Sequence, residues 1–188
     1  MKFIRKILTN LLNIIALIGL TPSFFSLGLE KKIARFLINN NLKISVAESC
    51  TGGLLSSRLT DTSGSSDFIE ENFITYSNKA KEIYLGVSEI SLIENGAVSE
   101  EVASEMSEGL INKGKCDIAI ATTGIAGPTG GSKEKPVGLV FISVSNREKT
   151  TTISYSANSF LSRRIIKYIF SQAALKFLYK FLKENYER

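Results

Sequence analysis

The stretch Ser45-Val46-Ala47-Glu48-Ser49-Cys50-Thr51-Gly52-Gly53 decides how this chain folds. It follows the apolar run 42–46 and precedes residues 54–59, whose apolar positions have helical spacing. A strand that ends in small residues and leads into a helix places side-chain groups and backbone N–H groups at one point. Residues 48–51 offer a carboxylate, two hydroxyls and a thiol there, so we expect a reactive group in this turn.

Length and composition indicate a single globular domain. A chain of 188 residues suits one domain with a sizeable core. The net charge is +5, but no basic run is interleaved with aromatic residues, so no nucleic-acid partner is predicted. The two cysteines have neither metal-ligand spacing nor a disulfide framework, which favours reduced thiols and a cytoplasmic location.

The chain contains no histidine. This absence excludes hydrolases with a Ser-His-Asp or Cys-His centre and zinc sites built on histidine. A proton transfer in this protein has to use Lys, Asp, Glu, Tyr, Cys or water.

Residues 1–28 form an apolar N-terminal extension that differs from the rest. A basic head at 1–6 is followed by a segment without charge that continues to residue 29. The segment is long enough to span a membrane, which needs about 20 apolar residues, but Pro22 and several polar residues interrupt it. Three interpretations stay open: a membrane anchor, an uncleaved or weak signal sequence, and a helix packed on the body. The second unit, 29–188, is the predicted globular domain.

Helical and strand patterns alternate through the globular part, which predicts a layered α/β domain. Predicted strands lie at 42–47, 67–76, 117–122, 136–144 and 149–155. Predicted helices lie at 30–41, 52–61, 78–85, 88–95, 99–113 and 162–186. The last helix is expected to face inward through Ile165, Ile169, Leu175, Leu178 and Leu182.

Polar clusters follow three of the predicted strands, at 48–51, 75–78 and 122–124. In open α/β sheets, ligands bind outside the carboxyl ends of strands, so the three clusters can converge on one pocket. Considered alone, each cluster is also explained as the cap of the helix that follows it. The glycine-rich loop 124–131 fits neither the G-x-G-x-x-G pattern nor the P-loop pattern, although its backbone can approach an anion.

Lys81 is the candidate base, because it lies one turn into the helix that follows the second cluster. A lysine acts as a base only if desolvation or a neighbouring cation lowers its pKa, and a solvated surface position is the alternative. Cys50 is either a nucleophile at a helix start or a packed thiol, and the lack of histidine favours packing.

Motifs along the whole globular part resemble the CinA C-terminal domain family. They are residues 47–53, 76–78 with Lys81, 96–99, 123–128 and 135–138. The resemblance implies a three-layer α/β/α single domain, often a homodimer, with no metal and no cofactor. It also implies hydrolysis of the carboxamide of nicotinamide mononucleotide, which gives nicotinate mononucleotide and ammonia.

The resemblance further implies individual roles. Ser49 matches the nucleophile, Lys81 its base, Tyr76 a supporting tyrosine and Thr123 a hydroxyl at the third strand end. Arg163 matches an arginine at the start of the last helix. The family has Gly-Asp before this arginine and the present chain has Leu161-Ser162, so Arg164 is the alternative.

The remaining predicted site residues bind substrate. Backbone N–H groups at the helix start are expected to stabilise the oxyanion, and Arg163 with the glycine-rich loop is expected to hold the phosphate. The substrate-binding set is Cys50, Thr51, Gly52, Gly53, Asn78, Gly124 and Arg163. Glu48 receives no role. Two alternatives to an amidase are a catalytically silent nucleotide-binding module and an interaction protein tethered to a membrane through residues 1–28.

Overall fold

A computed structural model describes residues 28–187. The predicted extension 1–28 lies outside this range except for Gly28, so its three interpretations and the proposed domain boundary stay predictions. Within residues 28–187, the structure contains no helix that is both long and apolar enough to cross a membrane.

The described chain contains the predicted helices and strands in the predicted order. The helices are α1 (Leu29–Asn39), α2 (Leu54–Thr60), α3 (Asn78–Leu85), α4 (Glu89–Glu94), α5 (Glu100–Asn112) and α6 (Arg163–Tyr186). The strands are β1 (Ile44–Glu48), β2 (Ile69–Ile74), β3 (Ile118–Gly124), β4 (Leu139–Ser145) and β5 (Thr150–Ser156). A 3-10 turn, Ser65–Asp67, precedes β2.

The strands form one mixed sheet in the order β2-β1-β3-β4-β5. β1 runs parallel to β2 and β3, whereas β4 is antiparallel to both β3 and β5. Helical crossovers connect the parallel strands, and a short turn suffices for the β4–β5 hairpin. The carboxyl ends of β1, β2 and β3 therefore lie together at one edge of the sheet.

Helices cover both faces of the sheet, which confirms the three-layer α/β/α architecture. On one face, the core unites α1, α2 and α6 through Ile33, Leu55 and Phe170. On the other face, Leu85, Leu92 and Val102 bring α3, α4 and α5 into a second core. All five residues of β1 are buried because helices shield both of its sides.

The inward face of α6 differs in part from the prediction. Leu175, Leu178 and Leu182 are buried as expected, but Ile165 and Ile169 are only half-buried. Their neighbours at 166 and 170 occupy the core instead. Positions 166, 170, 174, 178 and 182 form one continuous stripe at a spacing of four, and the predicted pair lies one residue away from it.

Candidate active site

Three hydroxyl residues form a row across the parallel strands. Thr75, Ser49 and Thr123 each follow the last paired position that links β2, β1 and β3. The N–H groups of Ser49 and Thr75 continue the ladder through hydrogen bonds of 3.0 and 2.8 Å to carbonyls of neighbouring strands. Ala47, two residues before Ser49, belongs to the core beneath α5. Because side chains alternate along a strand, the row faces the α3–α5 layer.

Lys81 reaches this row from α3. The Ser77 hydroxyl accepts a hydrogen bond of 3.1 Å from the Ala80 N–H, and this cap fixes where the helix begins. Lys81 Nζ lies 3.2 Å from Ser49 Oγ. It is also 3.0 Å from the carbonyl oxygen of Thr75 and 3.4 Å from that of Tyr76. The structure thus joins two residues that are 32 positions apart in the sequence.

The surroundings of Lys81 favour its neutral form. The side chain is 1% exposed, and burial lowers the pKa of Lys81, with only a smaller opposing effect from Cys50. Within residues 28–187, Lys81 belongs to no salt bridge. A lysine that is desolvated and lacks a carboxylate partner can accept a proton near neutral pH. Ser49, its neighbour, is almost completely buried.

Two other groups of the turn face the interior. The Cys50 thiol lies in the apolar core, and burial raises the pKa of Cys50 to about 12. A thiol with this pKa is protonated at neutral pH and is a poor nucleophile. The Thr51 hydroxyl pairs with the Thr122 hydroxyl at 2.8 Å in the buried interior. Cys50 and Thr51 can therefore contact a substrate bound at the row of hydroxyls only through their backbone groups.

Glu48, which received no role from the sequence, caps helix α2. Its Oε2 accepts hydrogen bonds from the N–H groups of Gly53 and Leu55, at 3.0 and 3.1 Å. Its Oε1 accepts from the N–H and the hydroxyl of Ser56, at 2.8 and 2.6 Å. A carboxylate at a helix N-terminus also complements the helix dipole. The spacing of this cap differs from that of a capping box, so no recognisable signal marked it in the sequence.

Hydrogen bonds within the turn correct part of the predicted substrate-binding set. Gly53 donates its N–H to Glu48, and Gly52 donates its N–H to the Ser49 carbonyl at 3.2 Å. Neither N–H group is available to a substrate, although both were predicted to bind one. The helix begins at Leu54 rather than at residue 52, because the two glycines adopt φ values of 61° and 91°.

Arg163 connects two other predicted parts of the site. Its Nη1 donates to the Gly127 carbonyl at 2.7 Å, and its Nη2 donates to the Tyr76 hydroxyl at 2.9 Å. The arginine therefore links the glycine-rich loop with the end of β2. Arg164 is exposed and has neither contact within the described chain, so Arg163 is the arginine that faces the site.

The last three predicted residues have different surroundings. The Thr123 hydroxyl donates to the Ala97 carbonyl at 2.6 Å, which ties β3 to the segment before α5. Asn78 is exposed on the first turn of α3, and no hydrogen bond joins its side chain to the row within residues 28–187. At Gly124, a Cβ atom would lie 2.5 Å from the Leu139 carbonyl oxygen. This glycine is needed where β3 packs against β4.

Lys167 is a neighbour of the site that the sequence analysis missed. Its Nζ lies 3.1 Å from the position that a Cβ atom of Gly52 would occupy. Lys167 follows Arg163 by one helical turn, so both residues lie on the same side of α6. The spacing of four residues from Arg163 was the feature of the sequence that could have indicated Lys167. Across the described residues, no group of three or more His, Cys, Asp or Glu side chains is arranged to hold a metal ion.

Comparisons with known proteins identify the family of the chain. The family model for the CinA C-terminal domain matches residues 27–182. A CinA-like protein of Chlorobium limicola is 46% identical over 159 residues, which cover 83% of this chain and 37% of the relative. The crystal structure of competence/damage inducible protein CihA from Agrobacterium tumefaciens is 38% identical and has a TM-score of 0.75, covering 81% of this chain and 95% of that one.

A solved structure of a CinA superfamily protein from Klebsiella pneumoniae is 31% identical, with a TM-score of 0.80. The alignment covers 85% of this chain and 98% of that one. The curated relatives are longer, and this chain spans less than two-fifths of the length of those it matches.

Proposed function

Since this chain belongs to the CinA C-terminal domain family, we propose that it hydrolyses nicotinamide mononucleotide to nicotinate mononucleotide and ammonia. The observation that carries the proposal is the distance of 3.2 Å between Lys81 Nζ and Ser49 Oγ in a buried setting. The substrate, a nucleotide with a carboxamide, is taken from the family resemblance. The geometry of Ser49 and Lys81 supports the reaction class, acyl transfer to a serine.

The hydrogen bonds of Lys81 suit a general base. A neutral amine has two N–H donors and one lone pair. The carbonyls of Thr75 and Tyr76 accept the two N–H groups, which leaves the lone pair for the Ser49 hydroxyl. Ser49 Oγ attacks the carboxamide carbon while its proton passes to Lys81, and the carbonyl electrons move to oxygen. We propose the backbone N–H groups of Cys50 and Thr51 as donors to that oxygen.

The reaction then proceeds through an acyl-enzyme. When the oxygen electrons return, the C–N bond breaks, and Lys81 gives its proton to the nitrogen, which leaves as ammonia. A water molecule next attacks the acyl carbon and transfers a proton to Lys81. Breaking the ester bond returns this proton to Ser49 Oγ, so one water is consumed and the dyad is restored.

A phosphate-binding role is proposed for the start of α6. Arg163 has five N–H donors, and among the described residues Gly127 and Tyr76 engage two of its nitrogens. Lys167 adds a second cation beside the turn that carries Ser49. The first turn of α6 contains no acidic residue, so its positive end is not neutralised there. An anionic nucleotide suits this charge distribution.

A homodimer is also proposed. Apolar side chains that are more than half exposed occur on the edge strand β2, on the segment that follows it, and on α3 and α4: Ile74, Tyr76, Ile83, Tyr84, Ile90 and Ile93. Exposed apolar patches of this kind mark interfaces, and self-association of one patch gives a two-fold dimer. Light scattering of the full chain should give twice the monomer mass, and Ile83→Asp with Ile93→Asp should reduce it.

The decisive experiment measures ammonia release from nicotinamide mononucleotide by the full chain. Ser49→Ala and Lys81→Ala should each abolish turnover, whereas Ser57→Ala and Lys79→Ala should retain it. The control residues are exposed, and Lys79 lies on the same helix as Lys81 in an ion pair with Glu82. Full activity in either dyad variant would refute the dyad.

The two alternatives to an amidase predict different results with the full chain. A chain that is stabilised by nicotinamide mononucleotide but releases no ammonia would be a silent nucleotide-binding module. Membrane fractions that retain the full chain but not residues 29–188 would support tethering through the N-terminal extension.

A further inference from the structure

Thr75 carries a buried hydroxyl without a hydrogen-bond partner. Among the residues that the structure describes, its Oγ1 is the one buried side-chain nitrogen or oxygen for which this holds. The residue is 1% exposed, so bulk water does not compensate for the missing partner. Native proteins pair almost all such groups, and an unpaired one reduces stability. The unpaired hydroxyl of Thr75 therefore indicates a hydrogen-bond partner that is present at another stage of the catalytic cycle.

The place of Thr75 indicates which partner this is. Its own carbonyl oxygen lies 3.0 Å from Lys81 Nζ. In the row of hydroxyls, Thr75 follows β2 and Ser49 follows β1, and these two strands are neighbours in the sheet. Phe73, two residues earlier, packs against the core of the α3–α5 layer. Because side chains alternate along the strand, the Thr75 side chain points toward the layer that supplies Lys81.

The number of acceptors around Lys81 changes during acyl transfer. Once protonated, Lys81 has three N–H donors. Two of them have the carbonyls of Thr75 and Tyr76 as acceptors, and the third has Ser49 Oγ. In the tetrahedral intermediates before and after the acyl-enzyme, Lys81 carries the proton while Ser49 Oγ is bonded to the substrate carbon, where it is a poorer acceptor than the free hydroxyl. A charged donor in the interior then lacks a good acceptor, which is unfavourable.

We propose that Thr75 is a positioning residue whose Oγ1 accepts a hydrogen bond from protonated Lys81 in the tetrahedral intermediates, while the Ser49 oxygen is bonded to the substrate carbon. The inference rests on the proposed function and adds a third hydroxyl to the Ser49–Lys81 pair. Thr75 keeps its own proton throughout and forms no bond to the substrate. The transferred proton moves from Ser49 to Lys81 and then to the leaving nitrogen.

Isosteric replacement of Thr75 in the full chain tests this role. Thr75→Val should lower kcat by about tenfold to a hundredfold, the effect of one hydrogen bond to a charged group, with KM changed less than about twofold. The same variant should unfold at a higher urea concentration, because it lacks the unpaired hydroxyl. Thr75→Ser restores the hydroxyl and should restore most of kcat.

Thr152→Val is the matched control. The Thr152 hydroxyl lies in β5, at the other edge of the sheet, and is bonded to the hydroxyls of Ser104 and Ser143 at 2.8 and 2.9 Å. Its loss should lower the urea midpoint and leave kcat unchanged. The two threonines should thus respond in opposite directions in the urea measurement, and only the Thr75 variant should lose kcat.

Several outcomes would overturn the inference. They are an unchanged kcat in Thr75→Val, a lowered kcat that Thr75→Ser does not restore, and a Thr75→Val chain that is less stable than the wild type.

A second readout separates this inference from the proposed substrate. Mass spectrometry can follow the reaction of Ser49 with a fluorophosphonate, which needs an activated serine but no nucleotide. Thr75→Val should react about ten times more slowly than the wild type. A wild type that is labelled but releases no ammonia refutes the substrate, and the labelling rates still decide the role of Thr75. A wild type that is neither labelled nor releases ammonia overturns both the proposed function and the role of Thr75.

Discussion

Replacing Glu48 by Gln should destabilise the protein strongly without removing a reacting group. The carboxylate is fully buried and accepts hydrogen bonds from three backbone N–H groups and one hydroxyl at the start of α2. The carboxamide of the variant would keep a single carbonyl oxygen as an acceptor. Its NH2 group would face N–H donors of the helix, so at least one backbone N–H would lose its partner.

The size of the effect follows from these contacts. Each hydrogen bond to a charged group contributes about 1.5–3 kcal/mol, and a buried donor without a partner is unfavourable by about 1–3 kcal/mol. Because these contributions are not additive, we expect the free energy of unfolding to fall by about 3–5 kcal/mol. For a domain of this size, that corresponds to a Tm lower by about 6–20 °C.

Urea unfolding followed by far-UV circular dichroism measures this loss. Glu100→Gln is the matched control, because Glu100 is exposed in the first turn of α5 and should contribute less than about 1 kcal/mol. Ammonia release at a temperature where the variant is folded should change only a few-fold. A loss below about 1 kcal/mol would refute the cap, and abolished turnover in a folded variant would make Glu48 a reacting group.

Three further predictions concern cations. Burial places the pKa of folded Lys81 below its unfolded value, so kcat/KM should fall as the pH drops through the folded pKa. Between the two pKa values the unfolded chain binds more protons, so stability rises with pH there, and Lys81→Met should remove this dependence and raise the urea midpoint at neutral pH. Arg58→Met should reduce stability by about 3–5 kcal/mol in thermal unfolding, because it leaves the buried partner Glu30 unpaired. Lys167→Gln should raise KM several-fold for nicotinamide mononucleotide but not for its riboside, as measured by ammonia release.

The order and type of the elements could be predicted because they depend on local patterns. Alternation of strand and helix periods indicated the layered fold, and small residues after apolar runs indicated the strand ends that carry the site. The approach of Lys81 to the first strand end followed from its place one turn into α3. The antiparallel direction of β4 and the exact face of α6 were not determined by such patterns, because adjacent apolar residues at 165–166 and 169–170 suit either face.

The sequence by itself indicated that a histidine-free chain places a serine and two threonines just after predicted strands, with a lysine one turn into the helix that follows one of them. Only the tertiary structure decided what surrounds them. Arg163 meets the Tyr76 hydroxyl 87 residues away, and Glu48 is used by a helix rather than by a substrate. The hydroxyl of Thr75 is buried without a partner among the described residues. Pairing of polar groups depends on distances between segments that are remote in the chain, and periodicity carries no information about those distances.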